Sequence, residues 1–279
     1  MLSDTIWLRA VVESALKEDI GTGDITSMLT VPEQAVSRAV ISVREDGVIA
    51  GMDAAEMAFS VVDPHVRFER IVSDGDRVSR GQALAVVEGR SRSLLAGERI
   101  ALNFLQRLSG IATKTAYFVS LVEGTKAKVV DTRKTTPGLR ALEKYAVRVG
   151  GGYNHRFGLY DGVLIKDNHI VAAGGVRNAV TAAKASAPHT LKVEVEVRTL
   201  DELTEALDSG ADAVLLDNMD IETMRQAVEI TAGRAVLEAS GGVTEQTIAD
   251  IAATGVDLIS VGALTHSVKS LDIGLDFEK

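Results

Sequence analysis

The feature that most restricts the fold is a repeat of short apolar strands, each followed by a segment with helical periodicity, beginning after Lys126. Nearly continuous apolar strands are typical of a sheet buried on both faces, and strand-then-helix repetition indicates parallel strands. The six strand segments are AKVVDTRK, DGVLIKDN, LKVEVEV, DAVLLDN, AVLEASGG and DLISVGA. Because a complete barrel has eight such units, we expect an open (β/α) barrel; a doubly wound open sheet is the alternative.

The chain before this repeat has a different pattern. Apolar residues recur at helical spacing from Leu8 to Leu16, and turn residues near Gly21 predict the end of that helix. Short β-branched segments follow, which indicate an antiparallel or mixed sheet. Residues 98–122 then predict a long amphipathic helix that links two domains.

Composition excludes several classes of protein. The net charge of -9 leaves no dense basic face, so we expect no nucleic-acid partner. The absence of cysteine excludes disulfides, thiolate zinc sites and cysteine nucleophiles. Acidic residues interrupt the N-terminus, and no apolar stretch approaches the roughly 20 residues that span a bilayer. We therefore expect a cytoplasmic protein with no signal peptide and no membrane partner.

Polar or glycine residues follow each of the six predicted strands. They are Asp131, Arg133, Lys134, Lys166, Asp167, Asn168, Glu194, Glu196, Asp217, Asn218, Ser240, Gly241, Gly242 and Gly262. The loops after parallel strands converge on one face, so these segments predict a shared pocket. A helix cap or an exposed turn would explain any one of these clusters. Their recurrence at the same position after all six strands favours a common site.

The predicted pocket contains charges of both signs. Its cations are Arg133, Lys134, His155, Arg156 and Lys166, with Arg99 and Arg107 on the preceding helix. Such a cluster in an acidic protein indicates a small polyanionic ligand, because buried like charges repel. Structural salt bridges are the alternative for Lys166, Glu194 and Glu196. Glu196 and Asp217 have carboxylates suited to sugar hydroxyls or magnesium.

Two glycine-containing turns, residues 239–242 and 260–266, lie in the last two units. Glycine lets backbone amides approach a phosphate closely, and a helix N-terminus behind the turn favours negative charge. A plain tight turn is the alternative for each. The sequence has no His-x-x-x-His or Glu-x-x-His pair, so we expect no transition metal caged by the protein. It also has no serine in a nucleophile elbow.

Several runs resemble the quinolinate phosphoribosyltransferase family. They are KEDIGTGDIT, ERIALNFLQRLSGIAT, DTRKTTPGLR, EKYAVRVGGGYNHRFGLYDGVLIKDNHI, VEVEV, LLDN and EASGG. The resemblance covers nearly the whole chain, without departure at the charged positions of these runs. A sister group linked to molybdenum transport shares the fold, but we do not expect it to keep the NHR and KDNH arrangement.

This resemblance implies an α/β fold with two domains. They are an N-terminal α/β sandwich (residues 1–112, joined by 268–279) and an open barrel of about six strands (113–267). The implied reaction is decarboxylating transfer of phosphoribose from phosphoribosyl pyrophosphate (PRPP) to quinolinate, a step of NAD biosynthesis. Its products are nicotinate mononucleotide, pyrophosphate and carbon dioxide. The resemblance also implies a homodimer, or a hexamer of three dimers, in which Arg99 reaches across to the other subunit.

The resemblance further implies the site residues. Lys134, Lys166, Glu196 and Asp217 are the expected catalytic residues. The expected substrate-binding set is Arg99, Thr132, Arg133, Lys134, His155, Arg156, Lys166, Glu196, Asp217, Ser240, Gly241, Gly242, Val261, Gly262, Ala263 and His266. Magnesium is expected to bind with PRPP through Glu196 and Asp217, without an organic cofactor.

Three other functions compete with this one. One is a phosphoribosyltransferase for another aromatic acid, such as nicotinate without decarboxylation. Another is a non-catalytic PRPP-binding regulator. The third is a carrier, because residues 73–89 resemble the β-hammerhead of biotinyl and lipoyl carriers; that stretch lacks the lysine a carrier needs.

Overall fold

The computed structural model describes residues 6–278, which form two compact units. The first unit contains the residues up to Ala116, Thr136–Gly151 and the residues from Ser267; the second contains Tyr117–Thr135 and Gly152–His266. The boundary between residues 112 and 113 that the sequence predicts stays a prediction. Residues 1–5 and 279, which the sequence assigns to the first domain, lie outside the described residues.

Helices and strands alternate irregularly in the N-terminal part. Its elements are α1 (Ile6–Ile20), α2 (Ile25–Thr30), β1 (Val36–Val43), β2 (Gly47–Val48), α3 (Met52–Val62), β3 (Arg67–Arg70), β4 (Arg77–Val78), β5 (Ala83–Arg90) and α4 (Ser91–Ser120). The first helix ends directly before Gly21, as the sequence predicts. Asp24 caps α2 by accepting a hydrogen bond from the Ser27 N–H at 3.0 Å.

After α4, strands and helices alternate regularly. The elements are β6 (Lys128–Val130), α5 (Arg140–Val149), β7 (Val163–Ile165), α6 (Asp167–Ala173), α7 (Val176–Ser186), β8 (Val193–Val197), α8 (Leu200–Asp208), β9 (Ala213–Asp217), α9 (Ile221–Thr231), β10 (Val236–Ser240), α10 (Ile248–Ala253), β11 (Leu258–Ser260), α11 (Ala263–His266) and β12 (Ile273–Phe277). Among residues 6–278, no helix combines the length and apolar character needed to cross a membrane.

The first unit contains an antiparallel sheet with the order β12-β1-β5-β3. In β1 the buried residues Ala39, Ile41 and Val43 alternate with more exposed neighbours, so one face of this strand contributes to the core. The C-terminal strand joins the sheet next to β1, where Ile41 pairs with Leu275. An α/β layer structure built on this sheet confirms the predicted N-terminal fold.

The second unit contains the predicted parallel sheet of six strands, in the order β6-β11-β10-β9-β8-β7. From β7 to β11 each strand pairs with its successor, and β6 follows β11. A doubly wound sheet would reverse its order at a switch point, so this succession favours the open barrel. The edge strands β6 and β7 are not paired with each other, which leaves the barrel open.

Strand β8 shows how this fold positions acidic side chains inside the barrel. All five of its residues, Val193–Val197, are buried, including Glu194 and Glu196. Side chains two apart on a strand point to the same face, so both carboxylates lie on one side of β8. Glu196 pairs in register with Leu215 on β9, and Leu215 pairs with Glu238 on β10. These three residues therefore form one level of the sheet.

Candidate active site

A cavity of about 770 Å³ lies in the second unit, lined by residues at and after the carboxyl ends of the parallel strands. Its volume is within the usual range for small-molecule sites. The predicted residues that line it are Thr132, Arg133, Lys134, His155, Arg156, Lys166, Glu196, Asp217, Ser240, Gly241, Gly242, Gly262, Ala263 and His266. The fold thus brings together side chains from seven separated segments of the sequence. Their roles in binding and catalysis stay predictions.

Two of the predicted binding residues, Arg99 and Val261, are not among the residues that line the cavity. Arg99 is exposed on α4 in the first unit. Val261 is only 1% exposed, and its backbone N–H donates to the Val130 carbonyl at 2.9 Å, so that amide is not available to a ligand. The assignment of Val261 as a binding residue stays a prediction that its placement does not support.

Arg107 does not line the cavity to which the sequence assigned it. It lies in the first unit, where its guanidinium donates to the Glu143 carboxylate at 2.9 Å. Glu143 is fully buried and also accepts a hydrogen bond from the Thr136 hydroxyl at 2.7 Å. Arg107 therefore neutralises a buried carboxylate on α5, a partner that helical periodicity alone does not predict.

The loop before β7 is held by a buried aspartate. Asp131, at the end of β6, is fully buried, and its carboxylate accepts hydrogen bonds from the Asn154 amide at 2.6 Å and from the His155 backbone N–H at 2.9 Å. Beyond this anchor, the Arg156 guanidinium donates to the Gly162 carbonyl at 2.9 Å. These contacts fix the backbone that presents His155 and Arg156 to the cavity.

Arg133 and Arg156 bring like charges close together in the cavity. Partial burial and the neighbouring Arg133 guanidinium lower the pKa of Arg156 from its usual range. Arginine nevertheless keeps its proton in proteins, so both side chains remain cationic. An anionic ligand with two adjacent charges would relieve this repulsion and bind both guanidinium groups.

Lys166 and Glu196 form an ion pair within the cavity, with 2.6 Å between the ammonium nitrogen and a carboxylate oxygen. Lys166 directly follows β7, and its side chain is 43% exposed, so its ammonium is not buried without a partner. A partly exposed pair of this kind is worth little to stability. The salt bridge expected as the structural alternative is therefore present, and both partners remain accessible to a ligand.

Glu194 pairs with a basic side chain, which is the alternative that the sequence left open. Its carboxylate lies 3.1 Å from the His155 ring Nε2, deep in the barrel. Glu196, on the same strand, pairs with Lys166, so the two glutamates of the VEVEV run have different partners. Only Glu196 is among the residues that line the cavity.

Asp217 is held in place at the end of β9. Its carboxylate accepts hydrogen bonds from the Arg198 guanidinium at 3.1 Å and from the Asn218 amide at 2.8 Å. Arg198 also lies 3.3 Å from Asp167, so it bridges two carboxylates. The sequence analysis missed Arg198, although this residue directly follows the last residue of β8, the position at which the other polar clusters occur.

Glu196 and Asp217 fit a magnesium ion that arrives with a phosphate ligand. They lie near the ends of neighbouring strands and offer the hard oxygen donors that magnesium prefers. Magnesium is usually held through one or two carboxylates plus substrate phosphates rather than by a cage of protein ligands. Glu196 and Asp217 supply two carboxylates, the number in that mode of binding, and each also forms an ion pair with a basic side chain.

The two glycine turns lie in the cavity and are tightly packed. Gly241 has a φ of +95°, and a Cβ there would overlap the Asn218 side-chain oxygen. A Cβ at Gly262 would lie 3.1 Å from the His266 ring. Helix α11 begins next to Gly262, as expected, but α10 begins only at Ile248, so no helix directly follows the first turn.

Glu238 lines the cavity and was missed by the sequence analysis, as were Val243 and Thr244. It lies on β10 two residues before Ser240, and the period-two alternation applied to Glu194 and Glu196 was sufficient to find it. Its side chain is only 1% exposed. Burial, followed by the nearby charge of Glu194, raises the pKa of Glu238 to about 7.

Comparisons with known proteins agree with this architecture. The quinolinate phosphoribosyl transferase N-terminal domain matches residues 24–109, and the C-terminal domain of the same family matches residues 111–276. A relative from Bacillus subtilis (strain 168), named probable nicotinate-nucleotide pyrophosphorylase (carboxylating), is 46% identical over 269 residues, covering 96% of this chain and 93% of the relative.

A plant relative and a solved structure give the same result. The chloroplastic nicotinate-nucleotide pyrophosphorylase (carboxylating) of Arabidopsis thaliana is 44% identical over 290 residues, covering 97% of this chain and 83% of the relative. The structure of the nicotinate-nucleotide pyrophosphorylase from Francisella tularensis has a TM-score of 0.93 at 44% identity, covering 98% of this chain and 96% of that one. The chain belongs to the quinolinate phosphoribosyl transferase family.

Proposed function

We propose that the protein transfers phosphoribose from PRPP to quinolinate with loss of carbon dioxide, giving nicotinate mononucleotide and pyrophosphate. The observation that carries this proposal is that one cavity contains two neighbouring arginines, Arg133 and Arg156, together with carboxylates and two glycine turns. The relative from Bacillus subtilis, at 46% identity, has a name that describes the same reaction in reverse, as a carboxylating pyrophosphorylase.

Quinolinate suits the cationic part of the cavity. It carries two adjacent carboxylates, and guanidinium groups bind carboxylates through two parallel hydrogen bonds with a defined orientation. The Arg133 guanidinium lies close enough to Arg156 to help lower the pKa of Arg156, so the two cationic side chains together form a receptor for a dianion. Lys166 and His155 line the same cavity and complete the proposed quinolinate site.

PRPP suits the remaining part of the cavity. At Gly242 no atom lies within 4 Å of where a Cβ would be, so phosphate oxygens can approach the backbone of the first turn closely. The Lys134 side chain packs next to Gly262, where its Cδ atom would lie 3.3 Å from an added Cβ, so this lysine lies beside the second turn. Glu196 and Asp217 would hold magnesium together with the substrate, and the bound ion would neutralise charge on the leaving pyrophosphate.

Orientation is a large part of the catalysis that we propose. The quinolinate ring nitrogen must face the anomeric carbon of ribose as pyrophosphate leaves, and fixed geometry can remove roughly 7 to 11 kcal/mol of such a barrier. The carboxylates of Glu196 and Asp217 would stabilise positive charge that develops on the ribosyl group. The new pyridinium nitrogen then stabilises the carbanion left when the adjacent carboxylate leaves as carbon dioxide.

We further propose that the active form is a homodimer or a trimer of dimers in which Arg99 contributes to the site of a second subunit. This proposal is supported by the exposure of Arg99 on α4. The expected cytoplasmic location stays a prediction.

The decisive experiment is incubation of the protein with quinolinate, PRPP and magnesium while nicotinate mononucleotide, pyrophosphate and carbon dioxide are measured. We expect equal amounts of the three products, and loss of turnover when magnesium is omitted. Product from nicotinate without carbon dioxide release would favour the other aromatic-acid transferase. Binding of PRPP without turnover of either acid would favour the regulator.

A further inference from the structure

A buried group of three side chains extends from the wall of the cavity into the barrel. We call it the Glu238 cluster; it consists of Glu238, Glu194 and His155. Within residues 6–278, one carboxylate oxygen of Glu238 has no hydrogen-bond partner, although it lies 3.6 Å from the His155 Nε2. The same nitrogen lies closer, at 3.1 Å, to the carboxylate of Glu194. Two buried carboxylates therefore compete for one ring nitrogen.

The hydrogen bonds of His155 indicate that this cluster holds a proton rather than a metal ion. The Arg156 backbone N–H donates to the His155 Nδ1 at 2.7 Å, so Nδ1 presents a lone pair and Nε2 carries the hydrogen. A metal would need the lone pair of Nε2, which this tautomer does not offer. The single N–H of His155 is directed to the nearer acceptor, Glu194.

Glu238 is consequently the carboxyl group on which a proton is most easily retained. Two neighbouring carboxylates in a buried site do not both ionise readily. Burial and the charge of Glu194 raise the pKa of Glu238 to about 7, while His155, a hydrogen bond with the Ser260 side chain and Lys166 act in the opposite direction. Glu194, His155 and Lys166 are the titratable groups that face it from β8, from the loop before β7 and from the end of β7; β9 presents Leu215 beside it.

The proposed reaction requires a proton inside the cavity. When carbon dioxide leaves, the electron pair of the broken carbon–carbon bond stays on the ring carbon next to the ribosylated nitrogen. That carbon must gain a proton before the product is nicotinate mononucleotide. Arginine side chains keep their protons, and Lys166 is paired with Glu196. Glu238 lines the cavity at the same level of the sheet as Glu196.

We propose that Glu238 is the acid that protonates this ring carbon, an inference that rests on the proposed function. The O–H bond of the Glu238 carboxyl breaks and a C–H bond forms at the carbon that lost carbon dioxide. Glu238 is left as a carboxylate and regains its proton from water after the product leaves. Without this acid, carbon dioxide can recombine with the unprotonated carbon, so pyrophosphate release and net decarboxylation become separable.

The test is Glu238→Gln, which keeps the size of the side chain but removes its acidic proton. In rapid-quench measurements with quinolinate, PRPP and magnesium, we expect pyrophosphate formation within about threefold of wild type. Carbon dioxide and nicotinate mononucleotide should form at least about thirtyfold more slowly, so the ribosylated dicarboxylate accumulates. Glu222→Gln, at an exposed site on α9, is the matched control and should keep both rates. Parallel formation of pyrophosphate and carbon dioxide in Glu238→Gln would overturn the inference.

A second measurement does not depend on the folding of that variant. In wild type, the ratio of carbon dioxide to pyrophosphate formed in the first turnover should fall as the pH rises through the pKa of Glu238, because only the protonated acid can donate. Burial still raises the pKa of Glu238 in Glu194→Gln, but the added effect of the Glu194 charge is removed, so the fall should move to lower pH. A ratio that is independent of pH in wild type, or unmoved in Glu194→Gln, would overturn the inference.

These measurements distinguish an error in the proposed function from an error in the role of Glu238. If the proposed function is wrong, wild type forms no pyrophosphate from quinolinate and PRPP at any pH. If only the role of Glu238 is wrong, wild type forms all three products, and neither variant separates pyrophosphate from carbon dioxide.

Discussion

Arg156 shows at the level of one residue how the cavity divides between its two proposed substrates. It lies beside Arg133 and follows His155, whereas the glycine turns belong to the ends of β10 and β11. The proposed carboxylate and phosphate sites are therefore built from different loops. Substitution of a residue in one loop should affect one substrate more than the other.

We predict that Arg156→Ala weakens quinolinate binding by about 100-fold, since a hydrogen-bonded ionic contact is worth roughly 3 kcal/mol. PRPP affinity should stay within about threefold of wild type. Isothermal titration with each substrate measures both quantities. Arg225→Ala, at an exposed position on α9, is the control and should change neither affinity. Equal loss of both substrates would refute this division of the cavity.

Glu196 acts, in our proposal, on the transition state more than on bound quinolinate. We predict that Glu196→Gln lowers kcat by about 100-fold, because stabilisation of developing charge is lost. The KM for quinolinate should change by only about threefold, since the Lys166 ammonium, released from its ion pair, remains available to the substrate. Steady-state kinetics separate the two parameters. An unchanged kcat would count against the role of Glu196, and Glu229→Gln at an exposed site serves as the control.

At the level of the elements, the turn after β10 depends on a glycine for two separate reasons. Gly241 has a positive φ, and the Asn218 side chain occupies the space where a Cβ would lie. The Asn218 backbone N–H also donates to the Ser240 carbonyl at 2.9 Å, which ties the end of β9 to the end of β10. The shape of this turn is therefore coupled to the position of its neighbour.

We predict that Gly241→Ala lowers the free energy of unfolding by more than the roughly 1 to 2 kcal/mol that a left-handed conformation alone costs. It should also weaken PRPP binding, because Asn218 and the turn must shift. The matched control is Gly233→Ala, where φ is +76° but no atom lies within 4 Å of the added Cβ. Urea unfolding of both variants measures the difference. Similar losses in the two variants would contradict the packing argument.

At the scale of the whole molecule, the exposed Arg99 gives a test of shared active sites. Consider a dimer in which Arg99 of each subunit completes the active site of the other, with Arg99→Ala in one subunit and Arg156→Ala in the other. The site of the Arg99→Ala subunit keeps its own Arg156 and receives an intact Arg99, so one of the two sites is complete. Random mixing makes half of the dimers mixed, so about a quarter of the wild-type sites should be restored.

The measurement is turnover after the two inactive variants are unfolded together and refolded as a mixture. We expect about a quarter of wild-type activity, compared with the residual activity of each variant refolded alone. Activity that does not exceed those residual values would show that Arg99 does not complete a neighbouring site.

The sequence by itself determined the order of the strands in the barrel and the parallel type of their sheet, whereas helices α2 and α3 in the N-terminal part were not predicted. Apolar runs of strand length and helical periodicity are local signals, so all six parallel strands were predicted from them. The convergence of polar residues at the strand ends also follows from parallel topology alone. This is why most of the cationic and acidic residues predicted for the cavity do line it.

The tertiary structure alone decided which charges pair. Arg107 binds Glu143, Arg198 binds Asp217, and Glu194 lies against His155 instead of lining the cavity. Each of these pairs joins residues far apart along the chain, and long side chains have enough rotamers to reach several partners. Periodicity fixes the face from which a side chain departs, whereas its partner depends on which other elements pack against that face.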